Sequence, residues 1–135
     1  MAEIEMIVDR IYVSKMNYQR VVNLKEKASV NHYLPIWVGP LEADAIAIKL
    51  QSTSVSRPLA HDFICSIIKA LDATLISIVI NELRMDVFYA KTRLKYNGKI
   101  IEIDCRVGDA IAIAIRGNAP IFVEEEILKV AGQTW

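Results

Sequence analysis

Two cysteines, two histidines and five glycines are all that the 135 residues contain, and each shortage closes a class of explanation. Cys65 and Cys105 lie in apolar surroundings without CxxC spacing, and His32 and His61 are the only histidines, so no zinc-ligand pattern is present. Reduced, partly buried thiols are the expectation. There is no GxxxxGK[ST] phosphate loop, no GxGxxG, no HExxH and no GxSxG. Charge of one sign is missing as well: sixteen basic residues balance sixteen acidic ones. A neutral chain does not advertise nucleic-acid binding, so any such activity has to rest on a local patch. No apolar run approaches the ~20 residues of a membrane span, and the alternating start Met-Ala-Glu-Ile-Glu is wrong for a signal peptide. The expectation is a soluble, cytoplasmic protein without membrane contact.

What is there is apolar residues, 53% of the chain, enough for the core of one domain spanning residues 1–135. The mean hydropathy of +0.29 is high for so small a chain and encourages a homodimer. The pentapeptide Asp-Ala-Ile-Ala-Ile occurs twice, at 44–48 and at 109–113. Each copy follows a short apolar segment and a glycine-containing loop. The simplest reading is a duplicated strand–turn–helix unit with an acid at each strand-to-helix switch, a place where backbone N–H groups collect. The plainer reading is that both aspartates cap buried helices.

Along the chain, residues 4–13, 21–25 and 31–38 read as strands. Pro40 suits the first turn of a helix running to about Gln51, with Glu42 favoured by its dipole. Arg57-Pro58 opens a second helix to about Leu71, on which Leu59, Phe63, Ile64, Ile67, Ile68 and Leu71 trace an apolar stripe. Residues 75–83 and 87–96 are strand-like, and Asn97-Gly98 signals a type I′ hairpin into 99–105. In the second pentapeptide Ile111, Ile113 and Ile115 alternate with alanines, which by period says strand. Alanine's helix propensity favours a buried helix to Arg116 instead, and periodicity does not settle it. Gly117-Asn118 ends that segment, 119–123 is a short strand and 124–131 a short helix.

The polar residues left over form three groups. His61-Asp62 offers a general acid or base beside a carboxylate, and Arg57 a bidentate phosphate holder. Asp104, Arg106 and Asp109 bracket the entry to the second pentapeptide. Asp104 and Asp109 with Glu42 or Asp62 are oxygen ligands suited to Mg²⁺ or Mn²⁺, if the fold brings them together. Tyr89, Lys91, Arg93 and Lys95 share one face of a strand and could track a phosphate backbone. Each group has a plainer reading, as cap, local ion pair or solvated edge strand.

Four segments match one family in order and spacing: Leu34-Pro-Ile-Trp-Val-Gly-Pro-Leu-Glu-Ala43, Arg57-Pro-Leu-Ala-His-Asp62, Ile103-Asp-Cys-Arg-Val-Gly-Asp-Ala-Ile-Ala-Ile-Ala-Ile-Arg116 and Ala119-Pro-Ile-Phe-Val123. With them the chain resembles the bifunctional nuclease domain family over roughly residues 5–130. The family pattern Asp-Ala-Arg-Pro-Ser-Asp is kept at Asp104, Arg106 and Asp109, whereas Cys105, Val107 and Gly108 stand where Ala, Pro and Ser are usual, and Ala60 where Thr is usual. The resemblance implies an α+β fold, a mixed, largely antiparallel sheet flanked by helices with an internal duplication. It makes the disputed segment a helix. It also implies nuclease activity on DNA and RNA with little sequence preference. In that reading Asp104, Asp109, Glu42 or Asp62 hold a metal, His61 is the acid or base, Arg57 and Arg106 steady the phosphate, and the basic strand guides the polymer. The alternative is a non-catalytic homodimeric module that binds a protein or a small anionic ligand at the same cluster. A third is a structural domain whose polar motifs are caps and ion pairs.

Overall fold

A computed structural model describes residues 2–29 and 31–134. Its elements run β1 (Glu3–Val13), β2 (Arg20–Glu26), β3 (His32–Val38), α1 (Pro40–Leu50), α2 (Ala60–Ala70), β4 (Thr74–Arg84), β5 (Val87–Tyr96), β6 (Lys99–Arg106), α3 (Val107–Gly117), β7 (Ile121–Glu124), α4 (Glu125–Ala131) and β8 (Gln133–Thr134). The fold is α+β. All the strands join one mixed sheet in the order β6-β5-β4-β7-β1-β2-β3-β8. β4 and β7 run parallel and the other neighbours antiparallel. The β5–β6 hairpin turns at Asn97 and Gly98 with φ of 51° and 75°, the positive pair that a type I′ turn requires.

The disputed segment is α3, and its burial explains the misleading period. Val107, Gly108 and every residue from Ala110 to Ala114 are buried, because α3 packs on α1, on α2 and on the sheet at once. A helix covered on all sides needs no amphipathic spacing. The helix ends at Asn118, whose αL backbone (φ 53°, ψ 35°) closes it.

Each half of the chain runs as three strands followed by a helix, yet the two identical pentapeptides are out of step. Asp109 is the third residue of α3, whereas Asp44 is the fifth of α1 and exposed. The residue of α1 in the place of Asp109 is Glu42. The second helix also differs from expectation: it starts at Ala60, so Arg57-Pro58 lies outside it. Its apolar stripe is largely uncovered, with Phe63 61% and Leu71 58% exposed; His61 is the residue that α2 buries.

Gly108 decides how closely the helices approach. A Cβ placed there would lie 2.9 Å from Glu42 Cβ and 3.1 Å from Val38 Cγ1, so α3 touches both the start of α1 and the end of β3. The sheet must therefore curl, since β3 and β6 are far apart in strand order. Gly108→Ala is expected to destabilise the protein by about 1–2 kcal/mol in denaturant unfolding, overpacking outweighing the gain in helix propensity. An unchanged midpoint would mean that the start of α1, whose backbone fixes Glu42 Cβ, shifts away at little cost.

Candidate functional site

The three longer helices share one local design. Each follows extended backbone at its N-cap (Gly39, Leu59, Arg106) and none of these makes a side-chain cap bond. The first-turn N–H groups are left open, and each helix puts an acid at its third residue, Glu42, Asp62 and Asp109, where the dipole favours negative charge. Asp62 goes further, its Oδ2 accepting from the Leu59 N–H at 2.9 Å.

Two arginines and a histidine tie these carboxylates together. The Arg106 guanidinium reaches Glu42 Oε1 at 3.1 Å and donates through Nε to Asp109 Oδ2 at 3.0 Å. His61 Nε2 stands 2.8 Å from the other Asp109 oxygen. Arg116 donates to Asp62 Oδ1 at 2.7 Å and to the carbonyls of Ala112 and Ala45, each at 3.0 Å. That one buried side chain fastens α1, α2 and α3. Sequence reasoning passed over it, because its partners lie 54 and 71 positions away.

The Leu59 amide, and then Arg116, hold the Asp62 carboxyl below its ordinary range; Arg93 does the same for Glu3. A depressed native pKa means that the unfolded chain takes up the proton first. The stabilisation is therefore present above the ordinary carboxylate range and is lost as pH falls through and below it. Melting temperature is expected to drop between about pH 5 and pH 2, and less steeply in Asp62→Asn. A parent and variant with parallel pH profiles would contradict this.

Beside the network opens a cleft of about 1380 Å³, lined by Trp37, Gly39 and Glu42 from one side and by Arg84, Tyr89, Lys91, Asp104 and Arg106 from the other. Gly39 and Glu42 bring the start of α1 to its wall, and Val107 and Gly108 the start of α3. Arg106 stands at the rim with a side chain 78% exposed, whereas Glu42 behind it is 9% exposed.

The expected site residues divide accordingly. Glu42, Asp104 and Arg106 reach the cleft; Asp109 and His61 stand behind Arg106, the His61 side chain only 10% exposed. Asp62 is directed to Arg116. Arg57 lies exposed in the loop before α2, with no ion-pair partner among the described residues. Asp104 lies cross-strand from Lys91; the local Asp104–Arg106 pair is replaced by Arg106 with Asp109 and Glu42. Among the described residues no three His, Cys, Asp or Glu side chains group to hold a metal ion. Arg106 and His61 occupy both oxygens of Asp109, and Arg106 one oxygen of Glu42, so as they stand Glu42 and Asp109 do not form a shared ligand pair for a divalent ion.

The basic strand face is present but partly neutralised. Tyr89 and Lys91 line the cleft, with Arg84 stacked over the Tyr89 ring at 4.7 Å. Arg93 is taken up by Glu3 at 2.9 Å and by Glu102 at 3.2 Å, and Lys91 lies 3.9 Å from Glu102. Lys95 is exposed. The neutralising acids, Glu3 and Glu102, come from β1 and β6 and not from the strand that carries the basic face. Both cysteines are free and half-buried, and burial pushes each thiol pKa up. No helix among the described residues is long and apolar enough to cross a membrane.

Comparison with known proteins bears on what this cleft belongs to. Two Mycobacterium tuberculosis sequences, "Uncharacterized protein MT1877" of strain CDC 1551 / Oshkosh and "Uncharacterized protein Rv1829" of strain ATCC 25618 / H37Rv, are each 41% identical over 128 residues, 95% of this chain and 76% of theirs. Residues 22–135 match the bifunctional nuclease domain, a stretch that holds the cleft-lining Glu42, Asp104 and Arg106 together with His61, Asp62 and Asp109 behind them, and the chain belongs to that family.

Proposed function

We propose that this chain is a nuclease that cleaves DNA and RNA phosphodiester bonds with little sequence preference, in the cleft at the starts of α1 and α3. The observation that carries this reading is Arg106, an exposed guanidinium at the rim of a large cleft, aimed by two buried-side carboxylates at helix N-termini. A planar guanidinium beside open helix N–H groups suits a phosphate in bidentate contact. Asp104, exposed on the same wall, is the carboxylate best placed to take a proton from an attacking water. Lys91 and Tyr89, continued by Lys95, offer charge and a ring face to the strand on either side of the scissile bond. His61 and Asp109 act through Arg106 as positioning residues. No step is assigned to a metal ion, given the donor set above.

The reading is tested by cleavage of a plasmid and of single-stranded RNA, with Mg²⁺, Mn²⁺ or EDTA, and by the salt dependence of binding. Backbone recognition is expected to weaken steeply as salt rises; binding indifferent to salt would favour the second reading. That reading, a non-catalytic module for a protein or small anionic ligand, is favoured by one observation: both carboxylates around Arg106 are already paired, as in a binding pocket at rest. A homodimer belongs to either reading. β6 is an open sheet edge carrying exposed Ile100 and Ile103, and α2 leaves Phe63 and Leu71 uncovered. Sedimentation should give twice the chain mass, and a monomer at all concentrations would remove the dimer.

A further inference from the structure

Three cations line the cleft, Arg84, Lys91 and Arg106, beside four acids. Each cation also has a carboxylate at hand: Arg84 stands 3.6 Å from Glu82, Lys91 3.9 Å from Glu102 and Arg106 3.1 Å from Glu42. The cleft therefore offers a local phosphate contact at Arg106 but no surplus of positive charge. A double helix keeps its bases stacked and paired, and proteins that grip it through the backbone rely on such a surplus. Affinity in this cleft has to come from something other than charge.

What the cleft does offer is an open indole. On β3, Leu34 and Ile36 point into the core and are fully buried, whereas Trp37 points the other way, lines the cleft and is 53% exposed. Tryptophan is on average a well-covered residue, so a half-bare ring on a cleft wall marks a surface with an apolar, flat partner. Tyr89, across the cleft, already has Arg84 over its ring at 4.7 Å. The volume of about 1380 Å³ exceeds the roughly 300–1,000 Å³ of a site for one drug-sized ligand. It gives room for a few nucleotides of one strand and too little for the two strands of a duplex.

We propose that the cleft takes an unpaired strand in preference to a duplex, a base of the substrate stacking on the exposed ring of Trp37 while the backbone lies against Arg106 on the other wall. An aromatic surface facing a guanidinium matches the two sides of a single-stranded nucleotide, ring and phosphate. Only unpaired bases can be splayed onto such a ring. Every base has a π-face, so stacking selects for an open strand without selecting a sequence. The inference rests on the nucleic-acid reading above and deepens it, naming the substrate class and giving Trp37 a binding role.

The test is a titration of the full chain with non-cleavable phosphorothioate oligonucleotides of about twelve nucleotides: a single strand, a duplex of the same sequence and an abasic single strand, followed by anisotropy of a labelled strand and by tryptophan emission. The base-containing single strand is expected to bind about tenfold more tightly than either of the others and to quench emission. Trp37 and Trp135 are the only tryptophans, so the quench should persist in Trp135→Phe and vanish in Trp37→Phe. Trp37→Leu should bring single-strand affinity down to the duplex level, Trp37→Phe should keep part of the preference because a ring remains, and Arg106→Ala should weaken all three oligonucleotides. Equal binding of single strand and duplex, a preference that survives Trp37→Leu, or a preference without quenching of Trp37 overturns the inference and leaves the phosphate cleft standing. Binding of none of the three overturns the nucleic-acid reading itself, and this inference with it.

Discussion

Arg116→Ala is expected to lower the free energy of unfolding by about 3 kcal/mol, the lower end of what removing one partner of a buried ion pair costs. The lower end applies because the Asp62 side chain keeps 36% of its surface and can rehydrate, whereas Arg116 itself is 5% exposed. Asp62 Oδ1 loses its charged donor, and the carbonyls of Ala112 and Ala45, which keep their helical N–H partners, each lose a second donor. Arg116→Lys retains the charge but cannot reach all three, because an ammonium lacks the planar fork, so it should recover less than half of the loss. Urea unfolding measures both. A drop below about 1 kcal/mol, the worth of an ordinary surface pair, would mean that Arg116 does not join the helices.

The second large effect is on activity. Arg106→Ala is expected to reduce cleavage by about 10²–10³-fold, the scale seen when a preorganised donor to a developing oxyanion is removed. The loss should fall mainly on kcat. Arg106→Lys should fall between the two, charge retained and the bidentate geometry lost. His61→Ala, which loosens Asp109 and through it Arg106, should be milder than Arg106→Ala and partly rescued by His61→Gln. A folded Arg106→Ala protein with unchanged kcat would remove Arg106 from the chemistry.

Which parts of this were readable beforehand follows from the distance over which each is determined. The Asn97-Gly98 hairpin and the start of α1 at Pro40 depend on neighbours within a few residues, and both fall where expected. β8, two residues long, carries too little pattern to register. The period of two in Ile111, Ile113 and Ile115 misleads because α3 is covered on all sides, a tertiary circumstance. α2 errs the other way: a regular apolar stripe promises burial, yet among the described residues nothing covers most of Phe63 or Leu71.

The site was half legible for the same reason. Its charged residues were singled out by type and local position, and Arg106 and Asp109 do pair, at a separation of three. Their long-range grouping depends on the curl of the sheet and on Gly108, which lets Glu42 press against α3. Local sequence says nothing of that curl. Of the expected ligand set, Glu42 and Asp109 are paired with Arg106, Asp109 also with His61, and Asp62 with Arg116, while Asp104 stands apart on the cleft wall opposite Lys91. Likewise the acids that neutralise Arg93 come from β1 and β6, out of sight of any window along β5.

The most direct measurement is cleavage of plasmid and single-stranded RNA by highly purified protein beside an Asp104→Asn variant purified identically, in Mg²⁺, Mn²⁺ and EDTA. The account predicts cleavage by the parent, with turnover greatly reduced in a variant that keeps the parent's melting temperature. Asp104 is exposed on a wall of the cleft, so its amide should not disturb the fold. Equal cleavage by both proteins, or none by either, would contradict a nuclease centred on this cleft.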